Sequence, residues 1–430
     1  MRVLIVGATG LIGSAACARL CAGGHEVIAA VRGRGAAARR LPAAGYVTAD
    51  LRRAVVPDFW RPHLNEIDAV VNCAGVLQDS ARDSTRQVHV DAAAALFRAC
   101  ERAGVRRVVQ LSAIGVDRET PTEFSRSKLA GDRLLMTLDL DWVILRPSVV
   151  VGRAAYGGSA LFRGLAALPV IPTISGTGPL QIVQLDEVTQ TIELMIKPGA
   201  PARIVLELAG PERLGFAEVV QKYRRWLGWP PARPVKMPAF AANLMFAAGD
   251  AIGALGWRPP VRRTAQREIA RGATGDPAEW MRITGVRPLA LDAALAREPA
   301  SVQERWFARL YLLKPAVLVV LSLFWIVTGI LSLGPAREAG GALAKAAGAA
   351  GLAPSVVLAG GIVDVLVGLA IAFRRTARSG LYAALAVSIL YLVCGTLLVP
   401  GLWADPLGPL LKIFPILALN VVALAILDDR

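Results

Sequence analysis

Three glycines, Gly7, Gly10 and Gly13, follow the apolar run Arg2–Val6 and open an alanine-rich stretch that reaches Ala22. At a strand-to-helix turn this spacing suits phosphate chemistry. Gly7 allows the tight turn, Gly10 lets backbone approach a pyrophosphate, and Gly13 lets the helix pack on the sheet. The helix N-terminus attracts the negative charge. Thr9, Leu11 and Ile12 belong to the same loop. After a second apolar run, Val27–Val31, an acid would accept hydrogen bonds from a ribose. Here stands Arg32-Gly33-Arg34, with no acid. Arg32 suits a 2′-phosphate, which favours NADP over NAD; alternatively Arg32 and Arg34 are solvated loop charges.

The elements that must position these residues alternate. Strands are expected at Arg2–Val6, Val27–Val31, up to Asn72, at Arg107–Ser112 and at Trp142–Arg146. Helices are expected to Ala22, at His89–Ala103 and at Glu123–Thr137. Alternation implies a parallel sheet covered on both faces, an α/β Rossmann fold. We expect a core over 1–152 and a smaller substrate-side region with a linker over 153–313. The latter includes a strand at Ile204–Leu208 and a helix at Gly215–Leu227. Within it, Pro238–Leu255 is apolar with one Asp and one Asn. It reads as a core helix, a pocket lining, or a helix in the membrane interface.

More than half of the 430 residues are apolar, too many for an ordinary soluble enzyme. The formal charge of +15 comes without a basic stripe interleaved with aromatics, which argues against nucleic acid. It fits an anionic membrane surface or general use of arginine. Cys17, Cys21, Cys73, Cys100 and Cys394 make no CxxC pair, and neither they nor His25, His63 and His89 show metal-ligand spacing. The chain begins directly with a strand, so no cleavable signal peptide is expected.

A bilayer requires about 20 apolar residues per helix. Pro315–Leu333, Ser355–Phe373, Leu381–Val399 and Leu410–Leu427 qualify, giving an all-α transmembrane four-helix bundle over 314–430. Arg374, Arg375 and Arg378 follow the second span, whereas Asp405 stands without Lys or Arg after the third. The arginine-rich loop should be cytoplasmic, placing both termini and the Rossmann domain in the cytoplasm beside the inner membrane. Asp364 lies mid-span, where a carboxylate is either functional or paired.

Gly7–Gly13, Thr48-Ala-Asp50-Leu51, Asn72-Cys-Ala-Gly75, Leu111-Ser112-Ala, Ser127-Lys128 and Arg146-Pro147-Ser148 resemble the short-chain dehydrogenase/reductase (SDR) superfamily. The match is nearest its atypical branch, which includes the nucleotide-binding accessory subunit of respiratory complex I. It covers roughly residues 1–300. The remainder looks like the DoxX-like membrane family, through its hydropathy, Gly361 and Asp364. By this resemblance Asp50 and Leu51 flank the adenine, and Ala74, Gly75 and Pro147 line the cofactor. Lys128 holds the nicotinamide ribose, and Ser112 stands at the catalytic serine position. Active members carry a Tyr four residues before the Lys; here it is Phe124, which has no proton to give. Tyr156 is a substitute acid on position alone. His89 stands at a helix start where relatives often have Asn, and reads most simply as a helix-end polar residue.

Three functions follow. One is an NAD(P)-dependent oxidoreductase acting on a lipophilic, quinone- or isoprenoid-like substrate. Another is a nucleotide-binding scaffold or redox sensor without turnover. The third makes the bundle the active part, with Asp364 at its centre.

Overall fold

The computed structural model describes residues 1–33, 35–80 and 83–427; Arg34 lies outside them. Two compact units are present, 1–251 with 259–308, and 252–258 with 309–430.

The first unit is built on a seven-stranded sheet. Its elements in chain order are β1 (Arg2–Val6), α1 (Leu11–Ala22), β2 (Glu26–Val31), β3 (Gly45–Thr48), β4 (Ala69–Asn72), α2 (Ala92–Ala103), β5 (Arg107–Leu111), α3 (Glu123–Met136), β6 (Asp141–Pro147), α4 (Leu185–Ile196) and β7 (Ile204–Leu208). The order across the sheet is β7-β6-β5-β4-β1-β2-β3, and all pairings are parallel. Strands in such a sheet are covered on both faces, so they read as continuous apolar runs. Val3, Leu4, Ile5, Val70, Val71, Val108 and Val109 are fully buried. Val3 and Ile5 join one core layer with Ala16 and Leu20 of α1; Leu4 joins the other with Phe97 of α2. The strand order turns back between β1 and β4, where ligands bind at the carboxyl ends of such sheets.

Further elements belong to this unit. Short parallel pairs join Val149–Val151 to Ile182–Gln184 and Val170–Thr173 to Arg233–Lys236. The helix Phe216–Trp226 buries Val219, Val220 and Tyr223 in a third core layer. A further helix, α5, covers Ala239–Ala254, its last three residues counted in the second unit.

The second unit is helical. α6 (Val302–Leu333), α7 (Ala353–Ala372) and α8 (Ala377–Leu398) are long and apolar enough to cross a membrane. The four-span expectation is therefore met by three helices among the described residues. The last, α9 (Ile413–Ile426), has 14 residues, about 21 Å of helix against a hydrocarbon core of about 30 Å. Lys412 precedes it and Pro415 lies in its first turn, which shortens the regular apolar stretch. Without a hydrophobic force between spans, close backbone approach does the holding. A Cβ at Gly329 would lie 2.5 Å from the Gly361 oxygen, and one at Gly368 2.7 Å from the Ser322 oxygen. Ser322 donates to that Gly368 carbonyl at 2.9 Å. Asp364 is buried and accepts a hydrogen bond from Tyr391 of α8 at 3.0 Å.

Candidate functional site: a dinucleotide cradle

Gly7 ends β1 in the left-handed region, φ +76°, where L side chains are strained. A Cβ there would also meet the Ala74 nitrogen at 2.7 Å, and one at Gly13 would meet the Gly7 oxygen at 2.3 Å. The backbone is thus folded tightly on itself, with Gly10 N–H donating to Gly7 at 3.0 Å. α1 begins at Leu11 with no side-chain cap. Its first N–H groups have no partner within the helix. An uncapped helix start behind a glycine turn fits a pyrophosphate.

The loop after β4 forms the opposite wall. Asn72 is buried; its amide donates to Gln110 at 2.8 Å, and its oxygen accepts from the Ala74 nitrogen at 3.2 Å. That pair fixes the turn at Ala74 and Gly75. Lys128 of α3 reaches it, donating to the carbonyls of Leu111 (2.7 Å) and Ala74 (3.3 Å). A Cβ on Gly75 would lie 3.3 Å from Nζ and 3.6 Å from His89 Nε2. Burial pulls the Lys128 ammonium down to about 8, with Asp132 opposing.

α3 is set by its start. Thr122 and Ser125 cap it reciprocally, and both hydroxyls donate to Glu268, Ser125 at 2.9 Å. Phe124, Lys128 and Asp132 then recur every four residues on one face. Asp132 is fully buried. It accepts from Ser112 at 2.7 Å and from Arg146 at 3.2 Å, while Arg146 also donates to Asp117 at 2.5 Å. Burial raises the Asp132 carboxyl, against the pull of Ser112 and Arg146.

His89 is not an ordinary helix-end residue. It lies in a π-helical turn, Gln87–Asp91, that leads into α2, and it is buried. Such turns recur at functional sites. Val76 N–H donates to its Nε2 at 3.1 Å, so Nδ1 carries the proton and donates to Ser127 Oγ at 2.8 Å. Burial, with Lys128 nearby, holds the imidazole down at about 2. Its ring packs edge-on against Phe124. Position alone did not reveal this; the signal was a lone His inside an otherwise apolar helical run.

The expected residues fall into two groups. Gly7, Gly10, Gly13, Ala74, Gly75, Lys128 and Phe124 come together, with Ser112 immediately after β5. Thr9 is exposed in the glycine loop, and Leu11 and Ile12 open α1 half-buried. Pro147 ends β6, its carbonyl accepting from Ile114. At the far end of the sheet, Arg32 pairs with Asp83 at 2.8 Å and Asp50 with Arg52 at 2.5 Å. The Arg52 bond holds the Asp50 carboxyl below its usual range. Leu51 packs against the core beside it. Tyr156 lies beyond β6 at the start of the helix Gly157–Ala166.

Comparison with known proteins agrees with this architecture. Residues 7–162 match the NAD(P)H-binding family and residues 322–421 the DoxX-like family. An uncharacterised Mycobacterium tuberculosis protein is 25% identical over 57% of this chain, which spans only 25% of that relative's length. Subunit 9 of the NADH dehydrogenase [ubiquinone] 1 alpha subcomplex of Arabidopsis thaliana is 27% identical, over 57% of this chain and 62% of the relative. Ceramide reductase of Caulobacter vibrioides is 23% identical, over 46% and 72%. Among solved structures, the Bordetella bronchiseptica enzyme WbmG in complex with NAD aligns with TM-score 0.55 and 18% identity, over 72% of this chain and 96% of WbmG. This chain carries an NAD(P)-binding Rossmann domain of SDR-like fold, with homologues among complex I subunits, followed by a DoxX-like domain.

Proposed function

We propose that this protein is a membrane-anchored NADP-dependent oxidoreductase acting on a lipophilic, quinone- or isoprenoid-like substrate. The carrying observation is the convergence of the glycine turn, Ala74–Gly75 and buried Lys128 in a chain that also holds three helices of membrane-spanning length. The ceramide reductase relative supports a lipid-like substrate. The Arg374, Arg375 and Arg378 cluster after α7 supports an inner-membrane location with the Rossmann unit cytoplasmic.

In this reading the N–H groups after Gly10 bind the pyrophosphate, with Gly7, Thr9, Leu11, Ile12 and Gly13 shaping the turn. Arg32 exchanges Asp83 for a 2′-phosphate, while Asp50 and Leu51 border the adenine. Ala74, Gly75 and Pro147 line the nicotinamide half, and Lys128 donates to its ribose. When bound, the nicotinamide supplies or accepts a hydride. Ser112 already donates to Asp132, so toward a substrate its hydroxyl accepts rather than donates. Its oxygen therefore accepts only from a substrate hydroxyl, the reduced form, and the proton that balances hydride addition to a carbonyl comes from water. The lost general acid is worth about 10²–10⁴-fold in rate.

One observation favours a second reading, a nucleotide-binding scaffold or redox sensor. Phe124 occupies the place of the acid, and His89 beside it is fully committed to Val76 and Ser127. The complex I relative supports it. The two readings separate when full-length protein in lipid is given NADPH and a membrane lipid extract. Nicotinamide oxidation that depends on the extract supports the enzyme. Bound NADPH that stays reduced supports the scaffold.

A further inference from the structure

α5 is apolar on both faces. Ala242 and Phe246 are buried, and Asp250 on the inner side pairs with Arg262 at 2.9 Å. The outer stripe, Phe240, Leu244, Ala248 and Ile252, repeats every four residues and so lies on one face. It is open: Phe240 is 76% exposed, Leu244 69% and Ile252 37%. A contiguous exposed apolar stripe marks an interaction surface.

What covers it follows from where the helix ends. Residues 252–258 belong to the unit that contains the long apolar helices. There Trp257 donates from its indole to the Ala372 carbonyl at 2.7 Å, and the Arg374 nitrogen donates to Leu255 at 3.1 Å. The Arg374 guanidinium lies over the Trp257 ring, 5.3 Å from its centroid. Ala372 is the last residue of α7, and Arg374 opens the basic loop after it. Trp and Arg at the end of a span mark the headgroup level. The C-terminal end of α5 therefore reaches the headgroup level, and at 1.5 Å per residue its open stripe is about 18 Å long. Exposed Lys236 and Arg258 flank it, matching anionic headgroups.

We propose that α5 is an interfacial helix, lying in the headgroup layer of an anionic bilayer with Phe240 and Leu244 inserted among the acyl chains. The proposal rests on the reading of α6, α7 and α8 as spanning helices. Its occupant is lipid; a protein partner is a competing outcome.

The test uses the full-length protein in vesicles of phosphatidylethanolamine and phosphatidylglycerol. Nitroxide labels are placed through Phe240→Cys and Leu244→Cys, with Val320→Cys on α6 as a span control and Asp58→Cys as a water control. Labelling of the parent chain is subtracted. Collisions with lipid-dissolved oxygen and with a water-soluble nickel chelate are compared. We expect positions 240 and 244 to follow position 320, with a ratio of oxygen to nickel collisions several-fold above that at 58. Nickel-dominated collisions at both positions overturn the proposal, and so does shielding from both reagents, which would mean a protein cover. If position 320 is itself water-exposed, the spanning reading fails as well.

Discussion

The rings of His89 and Phe124 meet edge to face, with centroids 5.6 Å apart and planes at 77°. By the SDR resemblance, Phe124 stands at the sequence position of the catalytic tyrosine. The histidine cannot take over as acid: Nε2 accepts from Val76, Nδ1–H is spent on Ser127, and burial keeps the ring neutral. Phe124→Tyr restores a hydroxyl one helical turn from Lys128. Under the oxidoreductase reading it raises turnover by roughly 10²-fold or more, within the range for general acid help. Steady-state NADPH oxidation with membrane lipid extract checks this. An unchanged rate would mean that proton supply does not limit the reaction.

The glycine turn has no slack. Gly13→Ala places a Cβ 2.3 Å from the Gly7 oxygen, forcing α1 off the sheet just where the pyrophosphate would sit. We expect NADPH affinity to fall about 100-fold, roughly 2.7 kcal/mol, with helix content by circular dichroism unchanged. Calorimetric titration of the full-length protein measures it. Affinity within a factor of two of the parent would remove the cradle assignment.

Arg32 tests the choice of nucleotide. Its guanidinium is already paired with buried Asp83, so a 2′-phosphate must compete for it. Arg32→Glu should weaken NADPH at least about 10-fold more than NADH, about 1.4 kcal/mol of selectivity. Equal weakening of both nucleotides would place Arg32 away from the 2′-position.

Lys128 carries a pH signature. Burial holds it at about 8 in the folded protein against an ordinary 10.5. Between these values the unfolded chain binds the proton and the folded one does not, so this group's contribution to stability rises with pH across that window. Below about 8 the buried charge costs on the order of 3 kcal/mol. Lys128→Met should therefore melt higher relative to the parent at pH 7 than at pH 10. A gap that stays constant with pH would show that the ammonium is not desolvated.

Much of this architecture was legible in the sequence. The strands of a parallel sheet are buried on both faces, so β1, β2, β4, β5 and β6 announce themselves as apolar runs. The turn at Gly7–Gly13 was readable because glycine alone tolerates its backbone. The spans of α6, α7 and α8 were visible from length and hydropathy, although α6 extends back to Val302, where the chain is still charged. Leu410–Leu427 is the weakest of the four spans in the sequence, with Lys412 near its start and Pro415 inside, and its helix, at 14 residues, is the one that falls short. The polar interior was hidden. The Asp132–Arg146 pair joins residues 14 apart through the fold, and the Arg32–Asp83 pair bridges 51. No local pattern encodes either. His89 reads in sequence as a helix-end polar residue because its π-helical turn shows only in the backbone.

Whether hydride leaves the nucleotide for a lipid separates an oxidoreductase from a nucleotide-holding scaffold. Full-length protein in lipid vesicles is loaded with NADPH tritiated at the transferable position and mixed with extracted membrane lipids. Label in the lipid fraction and bound nucleotide are counted in the same tube. Label is expected in lipid, lost in Gly13→Ala and increased in Phe124→Tyr. Nucleotide bound stoichiometrically with no label in lipid, for the parent and for Phe124→Tyr alike, would contradict the oxidoreductase reading and leave the protein a nucleotide-holding scaffold.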